Sequence, residues 1–192
     1  MSLNKPKQNL LLTLAWQSIA HGLKTGKPLA IDLSGYPEEL SASKATVVSL
    51  AVNNRPQGSF GRLHPIRPLA EDVCENAFAA AFCDQHCQAL TESQLDALEI
   101  TIEIVSPLTA LHGATELDLI GQLKPHIDGL LLHAGTHHTF LLPSNWETYP
   151  APFKFMQHLK HKAGLPPTYW SQAIQIYRFS TEPITLTPTA HA

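Results

Sequence analysis

Apolar and polar residues alternate most clearly between residues 98 and 105. Leu98, Ile100, Ile102 and Ile104 fall on one side of an extended chain, with Glu and Thr residues between them. This period of two predicts a half-exposed antiparallel strand. Other segments rich in β-branched and aliphatic residues predict further strands, at 46–52, 56–63, 129–134, 139–142 and 173–179.

Apolar residues spaced three or four apart predict helices between these strands. The first helix is predicted over residues 8–25 and is ended by Gly26 and Pro28. Later helices are predicted to begin at Pro68, Thr91, Thr115 and Pro152, with Gln94 as the capping partner of Thr91. The tail at 183–192 holds two prolines and is predicted to fray.

Turn residues between the strands predict two hairpins. Asn53-Asn54 tolerates the positive φ that a two-residue hairpin turn requires, and Gly135 to His138 joins the later strand pair. The order of a hairpin followed by helices occurs twice, near 46–95 and near 98–164. The sequence therefore predicts an α+β fold, and this order suggests an internal structural duplication.

The length and charge of the chain narrow its class. A chain of 192 residues fits one domain, predicted to span residues 1–192 with a core at about 8–182. Lys and Arg number 13 against 16 Asp and Glu, so the formal net charge is −3. Because nucleic acids and anionic membranes attract clustered positive charge, we expect neither as a partner.

The cysteines and the N-terminal segment indicate the compartment. The apolar run from Leu10 to Trp16 is too short to span a bilayer and fits an amphipathic helix better. The three cysteines have no framework spacing, which disfavours a secreted disulfide fold. We therefore predict a cytoplasmic protein with reduced thiols.

The chain has 11 histidines, which invite a search for a metal site. The densest group of ligand-type residues is Cys83-Asp84-Gln85-His86-Cys87. A structural zinc site needs four ligands, yet there is no second Cys-x-x-Cys, and Cys74 would lie on the opposite side of a continuous helix. We predict no metal and no cofactor, and interpret the segment as a helix-end turn with packed cysteines.

A second histidine group lies on the helix predicted from Pro152. His158 and His161 are three residues apart and could share a face, but no Glu lies between them as in a zincin motif. Lys160 and Lys162 flank the pair. This pattern indicates a solvated basic face.

Ser59 lies between two glycines, in Gly58-Ser59-Phe60-Gly61. A nucleophile elbow would need Gly-x-Ser-x-Gly between a strand and a helix, and neither the spacing nor the context fits. Glycines inside a strand indicate a bulge or a close backbone approach. A small-ligand contact at exposed backbone N–H groups and a purely structural bulge are equally supported.

The stretch around Ser59 also carries a family resemblance. The runs Gln57 to Leu63 and Arg67-Pro68-Leu69, then 76–82 with Asp84, resemble the AMMECR family, called AmmeMemoRadiSam system protein A in prokaryotes. Further similar segments follow in matching order: 98–107, 128–130, 139–143 with Trp146, Leu159 with 162–166, and 177–179. The resemblance covers roughly residues 8–182.

The resemblance implies an architecture and partners but no particular reaction. It implies one mostly antiparallel, barrel-like sheet made of two β/α structural repeats, with helices packed around it. It also implies association with a Memo-like protein and a radical-SAM protein. Catalytic residues and the oligomeric state stay unassigned.

The chain departs from the family pattern at its most polar motifs. Where the family has Arg-Gly-Cys, this sequence has Gln57-Gly58-Ser59, and where the family has Asp-Pro-Arg-Phe, Asp84 is followed by Gln85-His86-Cys87. A serine hydroxyl is far less ionised than a thiol, and Gln57 and His86 lose permanent charge. These changes suggest a divergent branch with altered or lost activity.

Three functions remain open. The first is a non-catalytic accessory protein that holds a small ligand or a partner. The second is an enzyme with a polar cleft built from Ser59, His64, Asp84 and His86, which would fail if Ser59 and Asp84 were far apart or buried in apolar surroundings. The third is a structural interaction module. The candidate ligand-binding residues are Gln57, Gly58, Ser59, Gly61, Arg62, His64, Asp84 and His86.

Overall fold

Two four-stranded antiparallel sheets organise the computed structural model, which describes residues 3–187. The helices and strands in chain order are α1 Lys5–Thr25, α2 Glu38–Ser41, β1 Ala45–Val52, β2 Arg55–Gly61, α3 Leu69–Phe82, β3 Leu98–Val105, β4 Thr109–Leu111, α4 Glu116–Ile120, β5 Gly129–Ala134, β6 His137–Leu141, α5 Pro152–Lys162, β7 Gln175–Phe179 and β8 Thr181–Leu186. Short 3-10 helices occupy Glu92–Ala97 and Pro143–Glu147.

The described chain divides into two compact units. Unit 1 holds residues 3–105 and 182–187 and contains the sheet β2-β1-β3-β8. Unit 2 holds residues 106–181 and contains the sheet β4-β7-β5-β6. The α+β class is confirmed, whereas the barrel-like sheet is wrong, since the described strands form two separate sheets. One domain over residues 1–192 stays a prediction.

Unit 1 is built on the β1–β2 hairpin. Asn53 and Asn54 have φ values of 52° and 60°, the left-handed conformation that a two-residue turn between twisted strands requires. The predicted hairpin is therefore confirmed. The apolar side of β3 is buried, as its period of two predicts, but Glu103 is only 5% exposed, so the predicted half-exposed face is wrong at this residue. β3 pairs with β1 from Val52↔Leu98 to Ala45↔Val105.

Helix α3 covers one face of this sheet. Pro68 precedes its first residue, Glu71 and Asp72 lie in the first turn, where the helix dipole favours acidic groups, and Ala77 and Ala80 are fully buried. Small side chains on the buried face allow α3 to approach the strands and α1 closely. This packing positions the residues that follow α3 beside β2.

Unit 2 packs α5 on its own sheet. Trp146 and Phe155 are both fully buried and stack with ring centroids 3.9 Å apart. Lys160 is only 1% exposed, and its Nζ lies 2.7 Å from Glu116 Oε1. The predicted solvated basic face is therefore wrong at Lys160, because α4 brings a carboxylate to the lysine that makes its burial tolerable.

Two predicted boundaries also differ. Residues 98–105 were expected to begin the second repeat, but β3 belongs to the sheet of unit 1. Residues 181–186 form β8 with Ile184 buried, so the predicted fraying is wrong for 183–186, while residues 188–192 lie outside the described residues. Within 3–187, no helix combines the length and hydropathy needed to cross a bilayer.

Candidate functional site

The candidate site lies where β2 passes beneath the end of α3. A Cβ atom on Gly58 would stand 2.1 Å from the Ala80 carbonyl oxygen, which is much closer than any side chain can come. Glycine is therefore required at Gly58 by the approach of strand and helix. The predicted close backbone approach is confirmed at this residue.

Gln57 is the extra residue of a β-bulge. Leu50 pairs with Gly58 and Ala51 pairs with Pro56, which leaves Gln57 without a partner on β1. Its side-chain Nε2 donates to the Gln88 carbonyl oxygen over 2.7 Å, and its Oε1 accepts from Gln94 Nε2 over 3.3 Å. The predicted bulge is confirmed, and Gln57 holds the turn that follows α3.

Asp84 fastens that turn to β2. Its Oδ2 accepts a hydrogen bond from the Ser59 backbone N–H over 2.9 Å, and its Oδ1 accepts one from the His86 N–H over 2.9 Å. The hydrogen bond from His86, followed by that from Ser59, lowers the pKa of Asp84 below its ordinary value. Each carboxylate oxygen thus accepts one hydrogen bond from a backbone donor.

The Ser59 hydroxyl points to another hydroxyl. Ser59 Oγ lies 3.0 Å from Ser49 Oγ on the paired position of β1, and Ser59 is exposed. Asp84 contacts the backbone of Ser59 and not this hydroxyl. Ser59 and Asp84 are neither distant nor buried, so the enzyme hypothesis survives its geometric test, but without a base on the hydroxyl.

The remaining candidates are less closely connected. Arg62, His64 and His86 are exposed. The Arg62 N–H donates to the Thr46 carbonyl, and a Cβ on Gly61 would lie 2.4 Å from the same oxygen. In residues 3–187, the side chains of Arg62 and His64 make no hydrogen bond or ion pair with the other candidates. The structure therefore brings together Gln57, Gly58, Ser59 and Asp84.

A buried polar cluster at the other end of α3 escaped the sequence interpretation. Asp72 Oδ2 accepts from the Thr46 N–H over 2.9 Å, from Thr46 Oγ1 over 2.7 Å and from Asn76 Nδ2 over 2.9 Å. Arg67 Nε lies 3.9 Å from Asp72 Oδ1. Burial raises the pKa of Asp72. Its signal in the sequence was two polar residues four apart on an alanine-rich face.

The cysteines differ in their surroundings. Cys74 is fully buried, and burial raises the pKa of its thiol to about 12. Cys83 is exposed and Cys87 half-buried. Among the residues that the structure describes, no group of three or more His, Cys, Asp or Glu side chains could hold a metal ion.

A family model, several proteins and a solved structure resemble this chain over most of its length. The family model described as AMMECR1 matches residues 12–184. A protein from Thermococcus onnurineus is 30% identical over 183 residues, which is 90% of this chain and 86% of that one. A Thermotoga maritima protein is 30% identical over 85% of this chain and 90% of its own. The crystal structure of an uncharacterized Pyrococcus horikoshii protein superposes with a TM-score of 0.90 at 25% identity, covering 97% and 95% of the two chains.

Proposed function

Because the chain belongs to the AMMECR1 family, we propose that it is a non-catalytic binding component that resembles protein A of the AmmeMemoRadiSam system. Its partner is a Memo-like protein or a radical-SAM protein. The contact lies on the exposed surface formed by Ser59 and the turn 83–89, named here the α3-end surface. The proposal includes a cytoplasmic location.

The use of both Asp84 oxygens carries this proposal. A general base must accept a proton from the nucleophile, but Asp84 accepts hydrogen bonds from the backbone N–H groups of Ser59 and His86, while the Ser59 hydroxyl lies beside Ser49 Oγ. Those bonds also lower the pKa of Asp84, which makes it a weaker base. Asp84 therefore has a structural role, since it holds the turn 83–89 against β2.

The exposed groups of the α3-end surface suit polar recognition. Ser59, Cys83 and His86 are exposed around the fastened turn, and Gln57 holds the turn from below through the Gln88 carbonyl. A rigid backbone loses little conformational entropy on binding. We therefore expect the side chains of this turn to decide affinity for the partner.

Binding to purified partners tests the proposal. The Memo-like and radical-SAM proteins of the same organism are titrated separately against the full chain by calorimetry. His86→Glu keeps the backbone N–H that donates to Asp84, and should weaken the complex by about tenfold through a negative charge added at the contact. His161→Glu places the same change on an exposed residue of unit 2 and should bind as the wild type does.

Two results would overturn the proposal. One is the lack of a complex with either protein at micromolar concentration. The other is a complex that His86→Glu and His161→Glu weaken equally, since that would place the contact away from the α3-end surface.

The nearness of Ser59 and Asp84 favours an enzyme as the second candidate. A serine nucleophile reacts with a fluorophosphonate only when its hydroxyl is activated. With Ser49 as its hydroxyl partner, Ser59 should stay unlabelled. Labelling found at Ser59 by mass spectrometry, and lost in Ser59→Ala, would favour the enzyme over the binding component.

An apolar groove on unit 1 supports a structural interaction module as the third candidate function. The groove has a volume of about 610 Å³ and includes Leu12, Trp16 and Leu186, with Trp16 41% exposed. Trp16→Asp should leave partner binding unchanged if the α3-end surface makes the contact. Loss of binding in this variant alone would favour the groove.

A further inference from the structure

Unit 2 contains a cavity of about 410 Å³ where β4 separates from β7. The two strands pair only from Thr109↔Arg178 to Leu111↔Ile176. Beyond this point residues 112–114 and 174–175 both line the cavity. The volume falls within the range of small-molecule sites, and none of the candidate residues near Ser59 contributes to its lining.

The apolar part of the lining suits a flat ring. Leu111, Leu119, Ile174 and Ile176 are buried members of the core of unit 2, and Trp170 packs against the same core. An aromatic ring stacks on an indole and also buries its edges against aliphatic side chains. A saccharide carries hydroxyl groups around its ring and would leave several of them against these aliphatic groups.

The polar part of the lining offers unused hydrogen-bonding groups. His112, Trp170 and Gln172 line the cavity, and their side chains have no hydrogen-bond partner in the chain that the structure describes. Gln175 Oε1 accepts from the Tyr177 hydroxyl over 3.3 Å, which leaves its Nε2 group available. Side-chain amides present a donor and an acceptor side by side, as the edge of a nucleobase does.

The lining also limits the charge of the ligand. Within the described residues, no Asp, Glu, Lys or Arg lines the cavity. A phosphate or carboxylate group is normally recognised by Arg, Lys or a cluster of backbone N–H groups. From the cavity, its indole wall and its neutral amides, we propose that unit 2 binds an uncharged aromatic heterocycle of the nucleobase or nucleoside class.

Ligand titrations with the full chain test this site independently of the α3-end surface. Adenosine, guanosine, cytidine and uridine are titrated by calorimetry and by quenching of tryptophan fluorescence, with methyl glucoside as the non-aromatic comparison. At least one nucleoside should bind and methyl glucoside should not. The matching monophosphate should bind no more tightly than its nucleoside, because neither Lys nor Arg lines the cavity among the described residues.

Two variants and a matched control locate the binding. Trp170→Ala should weaken binding by about tenfold, the usual loss when a stacking partner of a base is removed. Gln172→Leu changes an exposed amide without removing the indole, and should also weaken binding if Trp170→Ala fails to fold. Trp16→Phe alters an exposed tryptophan of unit 1 and should leave affinity unchanged. Circular dichroism verifies the fold of each variant.

The proposal has clear ways to fail. It is overturned if no nucleoside binds at millimolar concentration, or if methyl glucoside binds as well as the nucleosides. It is also overturned if folded Trp170→Ala and Gln172→Leu both bind as tightly as Trp16→Phe. Tighter binding of the monophosphate would contradict the uncharged ligand.

Discussion

Asp72 and Asp84 lie at opposite ends of α3, and both tie this helix to the β1–β2 hairpin. Asp72, in the first turn, accepts from the Thr46 N–H of β1. Asp84, two residues beyond the helix, accepts from the Ser59 N–H of β2, at the same distance of 2.9 Å. The same kind of bond therefore fastens both ends of one helix to neighbouring strands.

The two carboxylates differ in how deeply they are buried. Asp72 is 2% exposed, and loss of water raises its pKa, whereas Asp84 is partly exposed and its backbone hydrogen bonds lower its pKa. Removing a buried partner leaves donors that water cannot reach, while donors at the surface can be hydrated. The comparison shows that hydrogen-bond geometry alone does not give the energetic importance of a contact.

The largest effect is expected from Asp72→Ala. This change leaves the Thr46 N–H, the Thr46 hydroxyl and Asn76 Nδ2 without their shared acceptor inside the protein. The free energy of unfolding should fall by about 3 kcal/mol, as measured by urea denaturation. Asp72→Asn, which keeps an acceptor oxygen, should lose clearly less. Equal losses would mean that the negative charge, not the acceptor, stabilises α3.

Gly58→Ala tests the close approach of β2 to the C-terminal end of α3, the end at which Asp84 lies. Its Cβ would meet the Ala80 carbonyl oxygen at 2.1 Å, so β2 and α3 must move apart. We expect a loss of about 2 kcal/mol in the free energy of unfolding. Gly121→Ala is the matched control, since its Cβ would meet backbone oxygen no closer than 3.4 Å. A comparable loss in Gly121→Ala would argue against crowding as the cause.

Asp84→Ala should cost less than either change. Water can hydrate the N–H groups of Ser59 and His86 once the carboxylate is removed, so the expected loss is about 1 kcal/mol by urea denaturation. The turn 83–89 should nevertheless exchange its amide hydrogens faster, because the hydrogen bond that joins it to Ser59 of β2 is lost. A loss as large as that of Asp72→Ala would break the contrast between the two carboxylates.

Local patterns in the sequence predicted what local contacts determine. The alternation in burial of residues 98–102, the turn at Asn53-Asn54 and the Thr91–Gln94 cap each depend on residues close in sequence, and each is confirmed. The glycines of β2 predict a bulge or a close backbone approach, and the structure shows the close approach at Gly58. Its neighbour Ala80 could not be named, since that contact depends on the packing of α3.

The local sequence patterns do not predict contacts between segments that are distant in the chain. Lys160 was expected in solvent because no local feature shows that Glu116, 44 residues earlier, would meet it. The barrel-like sheet came from the family resemblance and is wrong because the described strands pair within two separate sheets, as β3 does with β8. At the candidate site, Gln57, Gly58, Ser59 and Asp84 lie together, and their binding of a ligand stays a prediction. Asp84 was expected to face a ligand, whereas both of its oxygens face backbone donors.

The pH dependence of stability gives the smallest and most specific difference between the two carboxylates. The Asp84 pKa is lowered from 3.8, so its stabilisation is complete above pH 3.8 and is lost as the pH falls through the lower folded value. The Asp72 pKa is raised from 3.8, so its contribution is greatest below pH 3.8 and declines as the pH rises through the higher folded value. Urea denaturation from pH 3 upward measures how much less stable each variant is than the wild type. This difference in the free energy of unfolding should grow with rising pH for Asp84→Asn and shrink with rising pH for Asp72→Asn. Parallel slopes would show that burial does not set the two carboxylates apart.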